Sequence, residues 1–125
     1  MHPRLGFKTF DIGRGKDKEE MARKLGAIHY VDNRPQNAVE ELANMGGAKV
    51  ILATVPSGKA MSAVLEGLTI NDKLIVIGAG DENSEGSPLS LICGRRSIMG
   101  WPGGTCIDSQ HTLSFSVLSD VRSIK

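Results

Sequence analysis

Residues 6–20, with the sequence GFKTFDIGRGKDKEE, decide the fold of this chain. The short apolar and β-branched run at residues 7–12 predicts a strand. A glycine-bounded turn at residues 13–15 follows, and Asp17 is placed to cap a helix that Glu20 would complete as a capping box. The stretch therefore predicts a strand, a tight turn and a helix in direct succession, which is the repeating unit of an α/β fold.

The rest of the chain continues this alternation. Four further short runs lack strict polar alternation, as strands of a parallel sheet covered on both faces do. They occupy residues 28–31, 50–54, 74–77 and 97–101. Caps and glycine stops predict helices that begin after Asp17, at Pro35, after Ser57, at Ser87 and at Asp108, with Met21 and Leu25 facing the core from the first. One three-layer α/β domain with right-handed crossovers is expected over residues 1–125.

Composition limits the classes of function. The chain has 125 residues, 40% of them hydrophobic, and 15 Lys and Arg against 14 Asp and Glu. This balance gives no broad electrostatic surface for nucleic acid or a membrane, and no apolar stretch is long enough to span a bilayer. Without a signal-peptide core, a cytoplasmic protein is expected. Cys93 and Cys106 form neither a CxxC motif nor a metal cluster, so we expect them reduced and buried, with a disulfide as the alternative.

Four segments carry a more specific signal through their order and spacing. They are RKLGAIHYVD at 23–32, GGAKVILAT at 46–54, KLIVIG at 73–78 and GRRSIMGW at 94–101. With residues 6–20, they resemble the coenzyme domain of medium-chain dehydrogenases/reductases, specifically fungal and bacterial zinc-type alcohol dehydrogenases. The resemblance implies a Rossmann-like, dinucleotide-binding fold and a parent enzyme that transfers hydride between NADPH and an aldehyde or alcohol.

The resemblance also places part of the coenzyme site. In this family the end of the second strand lies beside the ribose 2′ position, where an acid favours NAD and an arginine favours the 2′-phosphate of NADP. Gly13 stands where NAD-preferring relatives have the acid, and Arg14 and Lys16 follow, so NADP is the implied cofactor. Two alternatives stay open. Asp11 becomes the ribose ligand if the register is shifted by two residues, or the two basic residues are solvated turn charges.

Further contacts are implied at the carboxyl ends of later strands. Thr54, Val55, Gly78 and Ala79 are expected near the adenosine and nicotinamide ends of the cofactor, with Gly78 allowing close approach of a ring. Thr54 is explained equally well as an ordinary strand-end hydroxyl. The acidic loop at residues 80–86 is expected to be mobile and close to the cofactor cleft. Trp101 is expected in the core or in a homodimer interface through the last strand.

The chain departs from the family pattern in its first strand, its glycine loop and its catalytic domain. The strand and the loop that hold the pyrophosphate are expected ahead of Phe7 and are not found there. His2, His29 and His111 with two separated cysteines offer no zinc site, so we predict neither zinc nor a catalytic residue. Two functions follow. The chain is the C-terminal part of an NADP-binding domain, inactive and at most a weak nucleotide binder alone, or it is a non-catalytic dehydrogenase-derived protein that acts through protein–protein binding.

The missing strand is the central one of the family's order 3-2-1-4-5-6. Its absence predicts a gap between residues 7–12 and 50–54, with unpaired backbone groups on both sides. Direct parallel pairing of these two strands gives a closed, five-stranded sheet of order 2-1-3-4-5, and a domain swap or another inserted strand is the competing solution. We expect the closed sheet, with the C-terminal helix covering the face that the missing first helix leaves open.

Overall fold

The structure, a computed structural model, describes residues 6–33 and 37–121. In these ranges strands and helices alternate as predicted. The strands are β1 Phe10–Gly13, β2 His29–Asp32, β3 Ala48–Ala53, β4 Leu68–Val76 and β5 Ser97–Gly100. The helices are α1 Glu19–Lys24, α2 Ala38–Asn44, α3 Gly58–Val64, α4 Pro88–Gly94 and α5 Cys106–Ser119, and single 3-10 turns precede α1 and follow α3. The predicted helix start at Pro35 lies outside the described residues.

Every strand pairing in the described ranges is parallel, but the strands form two sheets. In the first sheet β1 pairs with β2, and Gly13 lies opposite Asp32 at its carboxyl end. In the second sheet β4 lies between β3 and β5, so that Leu74 is opposite Ile51 on one side and Ile98 on the other. The α/β class and the parallel pairing are therefore confirmed.

The predicted closed sheet is not formed, because no ladder joins β1 to β3 in the part of the chain that the structure describes. Helix α2 links the two sheets instead. Its buried Leu42 packs so closely on Gly67, in the turn before β4, that a Cβ on Gly67 would lie 3.4 Å from that of Leu42. The same helix contacts β2 and α3. Among the described residues the two sheets are therefore joined through the packing of a helix rather than through a backbone ladder between β1 and β3.

The hydrophobic core lies mainly under the second sheet. Leu74, near the carboxyl end of β4, is only 1% exposed. It belongs to a buried cluster of strand and helix residues: Ala53, Met61, Leu65, Leu68 and Leu74. Burial of a large aliphatic side chain contributes roughly 1.5 to 3 kcal/mol, so this cluster is a large apolar contribution to the stability of the second sheet.

Helix α1 differs from its prediction. Asp17 lies inside the 3-10 turn Lys16–Lys18, and the residue that caps α1, Lys18, makes no side-chain capping hydrogen bond. Met21 and Leu25 were expected to face the core, but each is 46% exposed, and Ala22 is buried instead. The short helix thus approaches β2 through a small side chain, which leaves its larger apolar residues at the rim.

Helix α5 does not cover the open face. Its N-terminus is a capping box, in which the Asp108 N–H donates to Thr105 Oγ1 at 3.3 Å and the Thr105 N–H donates to Asp108 Oδ2 at 2.7 Å. None of its residues is buried, and Val117 is 82% exposed. The covering role predicted for this helix is therefore wrong for the residues described.

The cysteine prediction is wrong in part, and one of the two alternatives for Trp101 is excluded. Cys93 and Cys106 are free thiols, but both are exposed rather than buried. Trp101 is half exposed after β5, so it is not a core residue, and its place in a dimer interface stays a prediction. None of the described helices is long and apolar enough to cross a lipid bilayer.

Candidate functional site

The turn that follows β1 is fixed to the end of β2. The Gly15 N–H donates to Asp32 Oδ1 at 2.9 Å, and the Tyr30 hydroxyl donates to the Gly15 carbonyl at 2.7 Å. Side chains two residues apart on a strand point to the same face, so β2 offers an acceptor and a donor to one residue. The Asn33 N–H adds a bond to the Gly13 carbonyl at 2.9 Å. Three hydrogen bonds from the end of β2 therefore hold this turn.

The backbone conformation at position 15 requires a glycine. Its φ of 81° and ψ of 164° fall in a region that is essentially open only to glycine. The residue is buried, and both of its backbone polar groups are hydrogen-bonded to β2 side chains. A conformation of this kind persists only where its surroundings fix it, so the turn is a preformed structure rather than a flexible loop.

Arg14 and Lys16 stand on this turn with their side chains exposed. Within residues 6–33 and 37–121 neither takes part in an ion pair or a side-chain hydrogen bond. The nearest buried acid, Asp32, is 9% exposed and directs its carboxylate into the turn. The two cations are thus available to an anion, and the phosphate site at these residues stays a prediction.

Asp11, the alternative ribose ligand, is an exposed residue inside β1 and lies opposite Tyr30 in the ladder. Burial, followed by the charges of Asp11 and Asp32, raises the pKa of Tyr30. A phenol is already protonated at neutral pH, so the raised pKa extends the hydrogen bond from Tyr30 to Gly15 to more alkaline conditions.

The tips of β3 and β4 bring together the second group of predicted residues. The N–H groups of Ile77 and Gly78 both donate to the Ala53 carbonyl, at 3.0 and 2.9 Å. A Cβ on Gly78 would lie 2.6 Å from the Thr54 carbonyl carbon, so the chain's own packing already requires glycine there. Thr54, Val55 and Ala79 are exposed at this edge.

A depression of about 210 Å³ adjoins these tips, with Gly78, Ala79 and Glu82 in its lining. The acidic loop at residues 80–86 borders it and is anchored to α3. Ser57 Oγ donates to Glu82 Oε2 at 3.3 Å, and the Glu85 N–H donates to Ser62 Oγ at 2.8 Å. The loop is exposed as predicted, but its attachment to α3 had no signal in the sequence.

The structure therefore assembles the predicted residues in two groups. Gly13, Arg14 and Lys16 lie at the carboxyl end of the first sheet, and the remainder lie at the carboxyl end of the second. No hydrogen bond between described residues joins the two groups. Sequence reasoning missed Tyr30 and Asp32, whose only signal is their spacing of two residues at the end of a strand. Within the described ranges no three His, Cys, Asp or Glu residues are grouped as a metal site.

Comparison with known proteins gives a consistent result. The family model for zinc-binding dehydrogenases matches residues 3–117. The chain is 33% identical over 121 residues to alcohol dehydrogenase notN of Aspergillus sp. (strain MF297-2), covering 97% of this chain and 35% of that protein. It is 35% identical over 112 residues to a probable formaldehyde dehydrogenase AdhA of Bacillus subtilis (strain 168), covering 90% of this chain and 32% of that protein.

Solved structures show the same fold. A putative alcohol dehydrogenase from Sinorhizobium meliloti 1021 superposes with a TM-score of 0.88 at 18% identity, covering 98% of this chain and 37% of that one. Both sheets are thus placed as in a larger protein, although no ladder joins them here. The chain spans about a third of the length of the relatives it matches.

Proposed function

The chain belongs to the zinc-binding dehydrogenase family, whose domain of this type binds a nicotinamide cofactor, and we propose that it forms the C-terminal part of an NADP-binding domain. The observation that carries the choice of NADP is the preformed turn after β1. It presents the exposed Arg14 and Lys16 and has no acid at position 13. A guanidinium binds phosphate oxygens through paired, charge-assisted hydrogen bonds, and a second cation strengthens the site.

In this proposal the chain's own residues hold the adenosine end of the cofactor. Arg14 and Lys16 bind the 2′-phosphate, while Thr54, Val55, Gly78 and Ala79 line the path toward the nicotinamide end. The cofactor, when bound, supplies the hydride that the parent protein exchanges with an aldehyde or alcohol. The described residues contain no three-ligand metal cluster, and we propose that this stretch does not catalyse the reaction alone.

The test is a nuclear magnetic resonance titration of the 125-residue chain with two ligands that differ by one phosphate. Adenosine 2′,5′-bisphosphate should bind more tightly than adenosine 5′-monophosphate. Arg14→Ala should weaken the bisphosphate about 10- to 100-fold by removing a charge-assisted contact, and leave the monophosphate unchanged. The matched control is Arg95→Asn, which removes an exposed arginine between α4 and β5 of the second sheet and suits its φ of 47°.

Equal losses for both ligands in Arg14→Ala would contradict the phosphate assignment. The absence of any preference in the wild-type chain would reject NADP and leave the alternative, a dehydrogenase-derived protein that acts through protein–protein binding. That alternative has one favourable observation, the exposed apolar side chains along α5, among them Ile107, Leu113 and Val117.

Metal analysis and NADPH absorbance test the proposed inactivity. The purified chain should hold substoichiometric zinc and should not oxidise alcohols. One tightly held zinc per chain, or turnover that survives a second purification, would show that the described stretch contains more of the catalytic apparatus than we propose.

A further inference from the structure

The turn formed by residues 13–16 after β1 is called the coenzyme turn below. We propose that Tyr30 is a positioning residue that sets the selectivity of this turn for a 2′-phosphate over a free 2′-hydroxyl. This inference rests on the proposed function and identifies a determinant outside the turn itself. The ring of Tyr30 fills the space that an acidic side chain at position 13 would need. Its hydroxyl group holds Gly15, so that the residues on either side keep their positions on the turn.

The first part concerns space at position 13. Gly13 is not among the glycines with positive φ, so its backbone is open to other residues. A Cβ built on it would lie 3.0 Å from Tyr30 Cζ and 3.2 Å from Cε2, and it would overlap the hydroxyl oxygen. The Tyr30 ring is therefore what excludes side chains from position 13 in this chain.

Tyr30 cannot move aside without a cost. It is 5% exposed, it has only two side-chain torsions, and its hydroxyl is bonded to the Gly15 carbonyl at 2.7 Å. A buried carbonyl without a hydrogen-bond donor costs roughly 1 to 3 kcal/mol, and the Gly15 carbonyl would lose its donor if Tyr30 moved away. The clash at position 13 is thus with a held side chain rather than with a flexible one.

The second part concerns selectivity. A carboxylate at the end of this strand accepts hydrogen bonds from ribose hydroxyls and repels a 2′-phosphate. Tyr30 prevents that carboxylate from being accommodated, and it anchors the turn that carries Arg14 and Lys16. Both effects favour the phosphate, and both come from one residue on the neighbouring strand.

The main experiment uses Tyr30→Phe, which keeps the ring and removes the hydroxyl. The affinity for adenosine 2′,5′-bisphosphate should fall about 2- to 10-fold, the range expected for one hydrogen bond, while that for adenosine 5′-monophosphate stays within 2-fold. The matched control is Ser90→Ala, which removes a hydroxyl in α4 that is bonded at 2.8 Å to Arg96, beside the second sheet, and it should change neither affinity.

A second experiment tests the steric part through unfolding. Gly13→Ala should lower the melting temperature by roughly 5 °C or more in the wild-type background because it overpacks the site. The same substitution should cause no further loss in a Tyr30→Ala background, where the space is open. In the double variant Gly13→Asp/Tyr30→Ala the ratio of bisphosphate to monophosphate affinity should fall at least 10-fold.

The outcomes separate the two proposals. If wild type prefers the bisphosphate and Tyr30→Phe keeps that preference in full, the role of Tyr30 is overturned while the NADP assignment stands. If both ligands weaken equally, Tyr30 is a structural residue only, and the inference is likewise overturned. If wild type shows no preference, the proposed function and this inference both fail. Equal destabilisation by Gly13→Ala in both backgrounds would reject the steric part.

Discussion

Replacing Gly15 by Ala tests whether the coenzyme turn is preformed. At φ 81° and ψ 164° a residue with a Cβ is strained by roughly 1 to 3 kcal/mol. The smaller conformational freedom of alanine in the unfolded chain offsets about 0.4 to 1 kcal/mol of this. If the turn relaxes instead, it gives up the bonds to Tyr30 and Asp32, each with a net contribution of about 1 kcal/mol. With the middle of each range, and with the offset applied to both routes, Gly15→Ala should lower the free energy of unfolding by about 1.3 kcal/mol.

Urea unfolding at neutral pH measures this change, and the nucleotide titration measures its consequence. The loosened turn should bind adenosine 2′,5′-bisphosphate more weakly and adenosine 5′-monophosphate with little change. Two other glycines serve as matched controls. Gly46→Ala introduces strain at φ 92° in open space, so it should destabilise without altering the nucleotide preference. Gly100→Ala meets no atom within 4 Å and has no positive φ, so it should not destabilise at all.

Two results would refute this reasoning. A Gly15→Ala chain as stable as wild type would show that the turn does not hold the conformation described. A destabilised chain with an unchanged preference for the bisphosphate would show that the turn is rigid for reasons unrelated to the phosphate. The Gly46→Ala control excludes a general loss of stability as the cause of weaker binding.

Three further predictions concern the rest of the fold. Leu74→Ala should lower the free energy of unfolding by about 2 to 5 kcal/mol because Leu74 is almost fully buried. Ile70→Ala, on the exposed part of the same strand, should lower it by less than about 1 kcal/mol. Equal losses in urea unfolding would contradict the core assignment of Leu74. Gly58→Ala should speed proteolysis within residues 80–86, because the added Cβ would overlap the loop backbone; unchanged cleavage would show that the loop is not anchored there. Hydrogen bonds from Thr105, first from its backbone and then from its side chain, lower the pKa of Asp108. The cap therefore stabilises α5 fully at pH values above the ordinary carboxyl pKa, and this stabilisation is lost as the pH falls through the lowered pKa. Thr105→Ala should raise the Asp108 pKa in a carbon-13 titration, and an unchanged pKa would reject the capping box.

The strand and helix order could be predicted from the sequence because it depends on local signals. Ser87 caps α4 and Pro88 occupies its first turn, as their residue types indicate. The five predicted strands all exist, with ends displaced by up to three residues, except that β4 begins at Leu68, six residues before its predicted start. Local chemistry of this kind acts over one turn or one strand, so it does not depend on how the sheets are arranged.

The partners of the coenzyme turn could not be predicted in this way. Gly13 and Gly15 were recognised as a turn, but the residues that fix it lie 15 to 17 positions further along, on β2. Which β2 side chains face the turn depends on the register between the two strands, and a shift of one residue would turn Tyr30 and Asp32 to the opposite face. Composition and spacing do not determine that register.

The open gap between the sheets and the coenzyme turn are independent features. The cost of unpaired strand edges led to the prediction of a closed sheet, but α2, packed on β2 and on the turn before β4, links the two sheets instead. The coenzyme turn does not depend on this link, because Gly13, Gly15, Tyr30 and Asp32 all belong to the first sheet and its connections. In the function we propose, recognition of the 2′-phosphate is therefore contained in one strand–helix–strand unit. For this reason we expect nucleotide selectivity to be measurable in this chain even where hydride transfer is not.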